Sequence, residues 1–133
     1  MFLLSFIVGA CKDDDENPFL NCDEEVLISS DQYQNAPDDH LQINKVEILD
    51  DCLHIQFSSG GCNGDTWEIK LIDQGAILKT NPPQRNLRLS LKNEELCDAW
   101  IQREISFDIR SLKYNNSPIL LNITNSGDQV LYR

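Results

Sequence analysis

From residue 41 onward the chain sets large apolar residues at every second position, run after run. The runs are Leu41 and Ile43; Val46 and Ile48; Leu53, Ile55 and Phe57; Trp67, Ile69 and Leu71; Leu87, Leu89 and Leu91; Ile105, Phe107 and Ile109; Ile119, Leu121 and Ile123; and Val130 with Tyr132. Successive side chains of a strand point to opposite faces, so each run describes a strand with one buried face. Turn chemistry separates them: Asp50-Asp51, Ser58-Ser59-Gly60-Gly61, Tyr114 to Pro118 and Asn125 to Asp128. Gly75 and Asn81-Pro82-Pro83 bound a further short strand around Ile77. The parity slip between Ile43 and Val46 reads as a bulge. Only Glu94 to Trp100 has room for a turn or two of helix. About seven or eight short strands in this length predict an all-β fold. The expected form is a single antiparallel β-sandwich of immunoglobulin-like or Greek-key type over residues 41–133.

The first forty residues are of another kind. Residues 1–10 are a short apolar run ending in small residues. They are too few to cross a bilayer core, which takes about 20, and they read as a secretory signal segment. Small residues ahead of a cysteine are what a lipoprotein peptidase admits. Val8-Gly9-Ala10-Cys11 accordingly resembles a bacterial lipobox, with Cys11 as the acylated residue. No Lys or Arg precedes the run, which leaves room for a start further upstream. Lys12-Asp13-Asp14-Asp15-Glu16 looks like the surface-export signal of Bacteroidetes-type lipoproteins, and it is equally a solvated acidic linker. The resemblance implies an outer-membrane, lipid-anchored protein facing the exterior. Several acyl chains would hold it stably, each buried CH₂ contributing roughly 0.8 kcal/mol.

Charge follows the same division. Residues 12–40 hold ten of the 22 acids but one of the 11 bases, a net of −9, and residues 41–133 carry the remaining −2 of the −11 total. Residues 11–40 therefore read as an acidic tether, with Val26-Leu27-Ile28 as an edge strand within it. With no basic patch to displace counterions, nucleic acid is not an expected partner.

Beyond Cys11 four cysteines remain, an even number in an exported chain, which suggests two disulfides with three connectivities open. Parity narrows the choice. If Leu53, Ile55 and Phe57 face the core, Cys52 faces outward, where a segment crossing the outside of the sheet can meet it. The tether carrying Cys22 is such a segment. The expected pairs are Cys22–Cys52 and Cys62–Cys97.

Several short motifs then follow in order: Gly60-Gly61-Cys62, Trp67, Pro82-Pro83-Gln84, Cys97-Asp98-Ala99, Ile105 to Ile109, and Val130 to Arg133. Over roughly residues 50–133 the chain is similar to the C-terminal β-sandwich half of the NigD-like lipoproteins of Bacteroidetes. That resemblance implies the fold, the cysteine pairing and the location, and it brings no established activity. Two positions where that family often carries histidine are Asp65 and Leu91 here.

Candidate chemistry is sparse. Cys52, His54, Cys62 and Cys97 are zinc-ligating types, but the Cys-x₂₋₄-Cys spacing is missing. No calcium loop, nucleophile elbow, phosphate loop or His-Glu-x-x-His helix appears. His40 falls in the acidic tether and His54 on an outer strand face. Trp67 shares core parity, Trp100 is placed to cover the second disulfide, and Tyr33 and Tyr114 fall in loops. No metal, cofactor or catalytic residue is expected. The expected function is a non-catalytic binding or accessory module for a protein or glycan. Its binding loops would lie at one end of the sandwich and carry Asn63, Asp65, Arg85, Tyr114 and Asn116. An inhibitor-like or protein-interaction module, periplasmic or secreted, is the alternative, and an enzyme comes third.

Overall fold

The structure is a computed structural model and describes residues 21–133. Among these residues the elements run β1 Glu24–Glu25, β2 Leu27–Ile28, α1 Ser30–Asn35, β3 Gln42–Leu49, β4 Cys52–Gly61, β5 Glu68–Leu78, β6 Gln84–Lys92, β7 Ala99–Asp108, β8 Ile119–Ile123 and β9 Asp128–Tyr132. A 3-10 turn at Arg110–Leu112 lies between β7 and β8. The strands form two sheets, ordered β1-β7-β4-β3 and β2-β5-β6-β8-β9. The fold is an all-β sandwich.

The alternating runs supply its core. Leu53, Ile55 and Phe57 of β4 and Phe107 of β7 meet Leu71, Leu87, Leu89, Ile119, Leu121 and Ile123 of the other sheet, all of them buried. Full burial of each such side chain contributes roughly 1.5–3 kcal/mol over exposure. The bulge falls between Ile43 and Lys45. Asp50 and Asp51 close the β3–β4 hairpin with φ of 51° and 68°, the left-handed geometry that two-residue hairpins require.

Four expectations need correction. The sheets are mixed: β6 pairs with β8 in parallel, as β1 does with β7 and β2 with β5. The chain leaves β7, crosses between the sheets at that end, and so enters β8 running in the direction of β6. Second, Ser58-Ser59-Gly60-Gly61 does not interrupt β4, which pairs with β7 out to Gly61↔Ala99. Ser59 donates to the His40 carbonyl at 2.6 Å and Ser58 accepts from Asn44 at 2.8 Å, so the buried hydroxyls are satisfied. Third, Gly75 lies within β5 and does not end it. It occupies an irregularity between Asp73 and Ile77 at φ +89°. Fourth, Glu94–Trp100 is not helical: 94–98 lies outside both sheets and β7 begins at Ala99.

Residues 22–39, assigned by sequence to the tether, are part of the folded unit. Cys22 is joined to Cys52 by a disulfide. β1 and β2 then cross from the edge of one sheet to the edge of the other, with Val26 buried between them. Ser29 caps α1 by accepting the Gln32 N–H at 3.1 Å. Arg88 gathers carbonyls at and just beyond the far end of α1: those of Gln32, Tyr33, Ala36 and Pro37, at 2.9–3.2 Å. A guanidinium there supplies donors to carbonyls that the helix end leaves short of them, and its charge suits the negative end of the helix. The signal segment, Cys11 and Lys12–Glu16 lie outside the described residues.

Candidate functional site

The sandwich has two unlike ends. At one, β4 leads to β5 through residues 62–67, and β6 leads to β7 through 93–98. Both connections cross between the sheets, and the Cys62–Cys97 disulfide staples one to the other. The opposite end carries the Asp50-Asp51 turn, Cys22–Cys52 and the start of the described chain. The ten residues of β4 separate the ends by about 30 Å, at about 3.3 Å per residue.

The stapled end is held by side chains as well. The Glu95 carboxylate faces a concave run of main-chain N–H groups. Its Oε1 accepts from Cys62, Asn63 and Gly64 at 2.7, 3.2 and 2.9 Å. Its Oε2 accepts from the Thr66 amide at 3.1 Å and the Thr66 hydroxyl at 2.7 Å. Convergent amides of this kind form an anion-binding nest. The Thr66 hydroxyl, the Gly64 amide and the neighbouring amides hold the Glu95 pKa down to about 2. Gly61 is required where β4 enters the loop, since a Cβ there would lie 2.6 Å from Glu95 Oε1. Gly64 takes φ +79°, and its carbonyl accepts from Arg103 Nη1 at 3.0 Å.

Asn93 holds the other loop. Its side-chain amide donates to the Gly60 carbonyl at 2.6 Å and to Ser59 Oγ at 3.2 Å. Its Oδ1 accepts the Glu95 N–H at 3.0 Å, and its own N–H donates to Asp39 at 2.7 Å. Between these fixed points Leu96 is 93% exposed, and Trp100, just inside β7, is 58% exposed. The Trp100 ring lies 6.3 Å from that of His40. It does not bury the disulfide, whose cysteines are both exposed.

Beside this end a cleft of about 310 Å³ opens along the sandwich, lined by Asp23, Asp65, Trp67, Ile69, Arg103 and Ile105 among others. β1 and β2 cover β7 and β5 only at Phe107–Asp108 and Ile72–Asp73, so the edges of both strands are open along the cleft. Trp67 packs on Phe57 at 5.7 Å, as its parity predicts, while its Nε1 is buried without a partner among the described residues.

The binding residues named from sequence are divided by the fold. Asn63 and Asp65 are exposed in the stapled loop, where Asn63 Oδ1 accepts the Asp65 N–H at 3.0 Å. Arg85 is not in a loop. It lies in β6, 8% exposed, and is ion-paired to the fully buried Asp73 at 2.9 Å. Tyr114 packs against the core, and Asn116 shapes a turn at the opposite end, at φ +55°. Tyr33 sits on α1, its hydroxyl bonded to Thr124. The reading missed Asn93, Glu95 and Leu96. The clue for Leu96 was a large apolar residue outside every alternating run, next to a cysteine.

His54 lies on the outer face of the four-stranded sheet, 3.3 Å from Glu104, in a hollow of about 210 Å³ lined also by Lys45, Glu47, Leu49 and Gln56. That lining includes no Ser, Thr or Cys to serve as a nucleophile. Among the described residues no group of three or more His, Cys, Asp or Glu is placed to hold a metal, and the four cysteine sulfurs are engaged in disulfides.

No family model and no curated protein matches the chain. Two solved structures share its fold. A NigD-like immunity protein from Bacteroides caccae aligns over 82% of this chain and 58% of its own length, with a TM-score of 0.59 and 11% identity. A protein of unknown function, DUF1344, from Bacteroides vulgatus aligns over 82% of this chain and 53% of its own, with a TM-score of 0.51 and 19% identity. The chain thus spans little more than half the length of either, and what it has in common with them is a NigD-like sandwich fold.

Proposed function

We propose that the chain is a lipid-anchored, non-catalytic module of the outer membrane that binds a protein partner through its stapled end. The observation that carries this reading is the placement of Leu96 and Trp100. Both are large, apolar and exposed, Leu96 on a loop held by a disulfide and a saturated carboxylate and Trp100 at the start of β7, into which that loop leads. The described chain begins at the opposite end, beside Cys22–Cys52, so a tether from Cys11 would present Leu96 and Trp100 away from the membrane. Apolar and aromatic anchors on a preorganised support are how protein interfaces concentrate their energy. The neighbour named an immunity protein is compatible with binding in place of catalysis.

The lipobox-like Val8-Gly9-Ala10-Cys11 motivates the anchor, and Lys12–Glu16 the outward orientation. Two measurements on whole cells test the proposal. Cys11→Ala should move the protein from the membrane to the soluble fraction, and persistence in the membrane would reject the anchor. A photoreactive side chain in place of Trp100 should cross-link one protein partner, and the same group at Lys79, at the other end, should not. Equal labelling from both positions would reject the stapled end as the binding site.

A further inference from the structure

We infer that residues 93–98 form an inhibitor-type loop that enters the substrate cleft of an endopeptidase and places Leu96 in an apolar primary pocket. This rests on the binding-module reading above and names its partner class.

Held and free side chains alternate along the loop. Asn93, Glu95 and Cys97 turn toward β4 and the facing loop and are each fixed, Asn93 on Gly60, Glu95 on the 62–66 amides and Cys97, itself exposed, on Cys62. Glu94, Leu96 and Asp98 turn outward and are exposed. No residue from Asn93 to Asp98 has a positive φ, and the segment leads directly into β7. The segment belongs to neither sheet, takes no left-handed residue, opens on a turn in which Asn93 Oδ1 accepts the Glu95 N–H, and is pinned at every second residue. Endopeptidases bind their substrates as extended strands, reading main-chain groups along the cleft and alternate side chains in pockets. A free peptide loses conformational freedom on entering such a cleft, and a loop already held at Asn93, Glu95 and Cys97 loses less.

The pins also address what happens after a cut. If the partner hydrolysed the Leu96–Cys97 bond, the new amino end would stay tied to Cys62 by the disulfide. The new carboxyl end would stay tied through Glu95 to residues 62–66. Neither end could diffuse away, so the cut loop would remain bound as an inhibitor does and a substrate does not.

Leu96 has no role in the core. An exposed Leu between two pinned neighbours suits a pocket that takes a branched apolar side chain. Glu94 and Asp98 share its outward face, so the flanking subsites of the partner should be basic or open to water. The same two acids oppose insertion of Leu96 into an anionic membrane surface.

The test uses the purified full chain in detergent against chymotrypsin and subtilisin, whose primary pockets are apolar, and trypsin, whose pocket is acidic. The native chain should inhibit at least one of the first two. Leu96→Lys should lose that inhibition by about 100-fold or more and gain inhibition of trypsin, as expected of a residue that anchors an interface. Glu95→Gln, which keeps Leu96 but weakens the grip on the nest, should be cut at Leu96–Cys97 faster than the native chain. An unchanged melting temperature and disulfide map in both variants would show that the fold is intact. Absence of inhibition by the native chain and by Leu96→Lys, or release of the cut native chain at the rate of an ordinary substrate, overturns the inference. If inhibition fails while the cross-link from position 100 persists, the binding-module reading stands and the peptidase partner is wrong. If both fail, the stapled end is not an interface.

Discussion

Arg85→Met removes the one Lys or Arg that is buried among the described residues. In β6, Arg85 donates through Nη1 to Asp73 Oδ1 at 2.9 Å and through Nε to the Leu112 carbonyl at 3.1 Å. Asp73 is fully buried, and apart from Arg85 its partner is the Gly75 N–H at 2.7 Å. Methionine keeps most of the aliphatic packing and removes the charge, so Asp73 is left buried and uncompensated. Removing one member of a buried pair costs about 3–5 kcal/mol, a large share of the roughly 5–15 kcal/mol that holds a domain together. The melting temperature should fall by on the order of 10–20 °C. The loss should depend on pH. Burial already raises the Asp73 pKa, against the bonds from Gly75 and Arg85 that lower it, and without Arg85 it should rise further. A carboxyl group whose folded pKa lies above its unfolded value stabilises most below the unfolded value, and that contribution is lost as pH rises through the folded one. The variant should therefore recover part of its deficit in mildly acidic solution relative to pH 7. Urea denaturation at both pH values measures this, with Asp73→Leu/Arg85→Met as the control that removes both charges and should lie nearer the native chain than the single variant does. A single variant within about 1 kcal/mol of native at pH 7, with no difference at acid pH, would refute the assignment of a structural pair.

Three further outcomes follow from the same geometry. Arg88→Ala removes its bonds to the Tyr33 and Ala36 carbonyls and leaves those of Gln32 and Pro37 with the Ala36 N–H and the Ser90 hydroxyl alone. It should cost about 2 kcal/mol in urea and abolish hydrogen-exchange protection in 30–36 before the rest of the sandwich. Glu95, with its pKa held to about 2, stabilises the native loop above its unfolded pKa, and that contribution is lost as pH falls toward 2. The amide shifts of Cys62, Gly64 and Thr66 should titrate together in that range, and a common midpoint near 4.5, the ordinary value, would contradict the nest. Replacing both Cys22 and Cys52 by Ser opens a loop of 30-residue separation, which should cost roughly 3–4 kcal/mol in the chain-entropy model and is read by thermal denaturation.

What was legible in the sequence is what one-sided burial dictates locally. Leu53, Ile55 and Phe57 fix the parity of β4, and parity alone sets Cys52 outward toward Cys22. The Asp50-Asp51 turn is written in its own two residues. What escaped depends on partners far along the chain. The arm at 22–39 carries few apolar residues, so its composition matches a tether. Its fixing comes from Arg88, more than fifty residues away, and from two-residue pairings that leave no periodic trace. Glu94 and Glu95 favour helix intrinsically, but bonds to residues about thirty positions earlier override that preference. Arg85 follows Pro82-Pro83 and so reads as loop, although its place in β6 is decided by Asp73 and Leu112.

The same contrast bears on how the candidate site works. The core is built from residues whose burial is general and replaceable, since any apolar side chain of similar volume retains most of its contribution. The stapled end is built from groups with few substitutes. Gly61 leaves the space that Glu95 fills, Asn93 joins Gly60 to the Glu95 amide, and Cys97 must meet Cys62. Fixing a protruding loop by polar and covalent contacts lets its outward side chains vary without disturbing the sandwich, because Glu94, Leu96 and Asp98 support nothing beneath them. A scaffold of this form separates what holds the loop from what the loop presents. Changes of binding preference should therefore concentrate at the outward positions 94, 96 and 98, and losses of order at the held positions 93, 95 and 97.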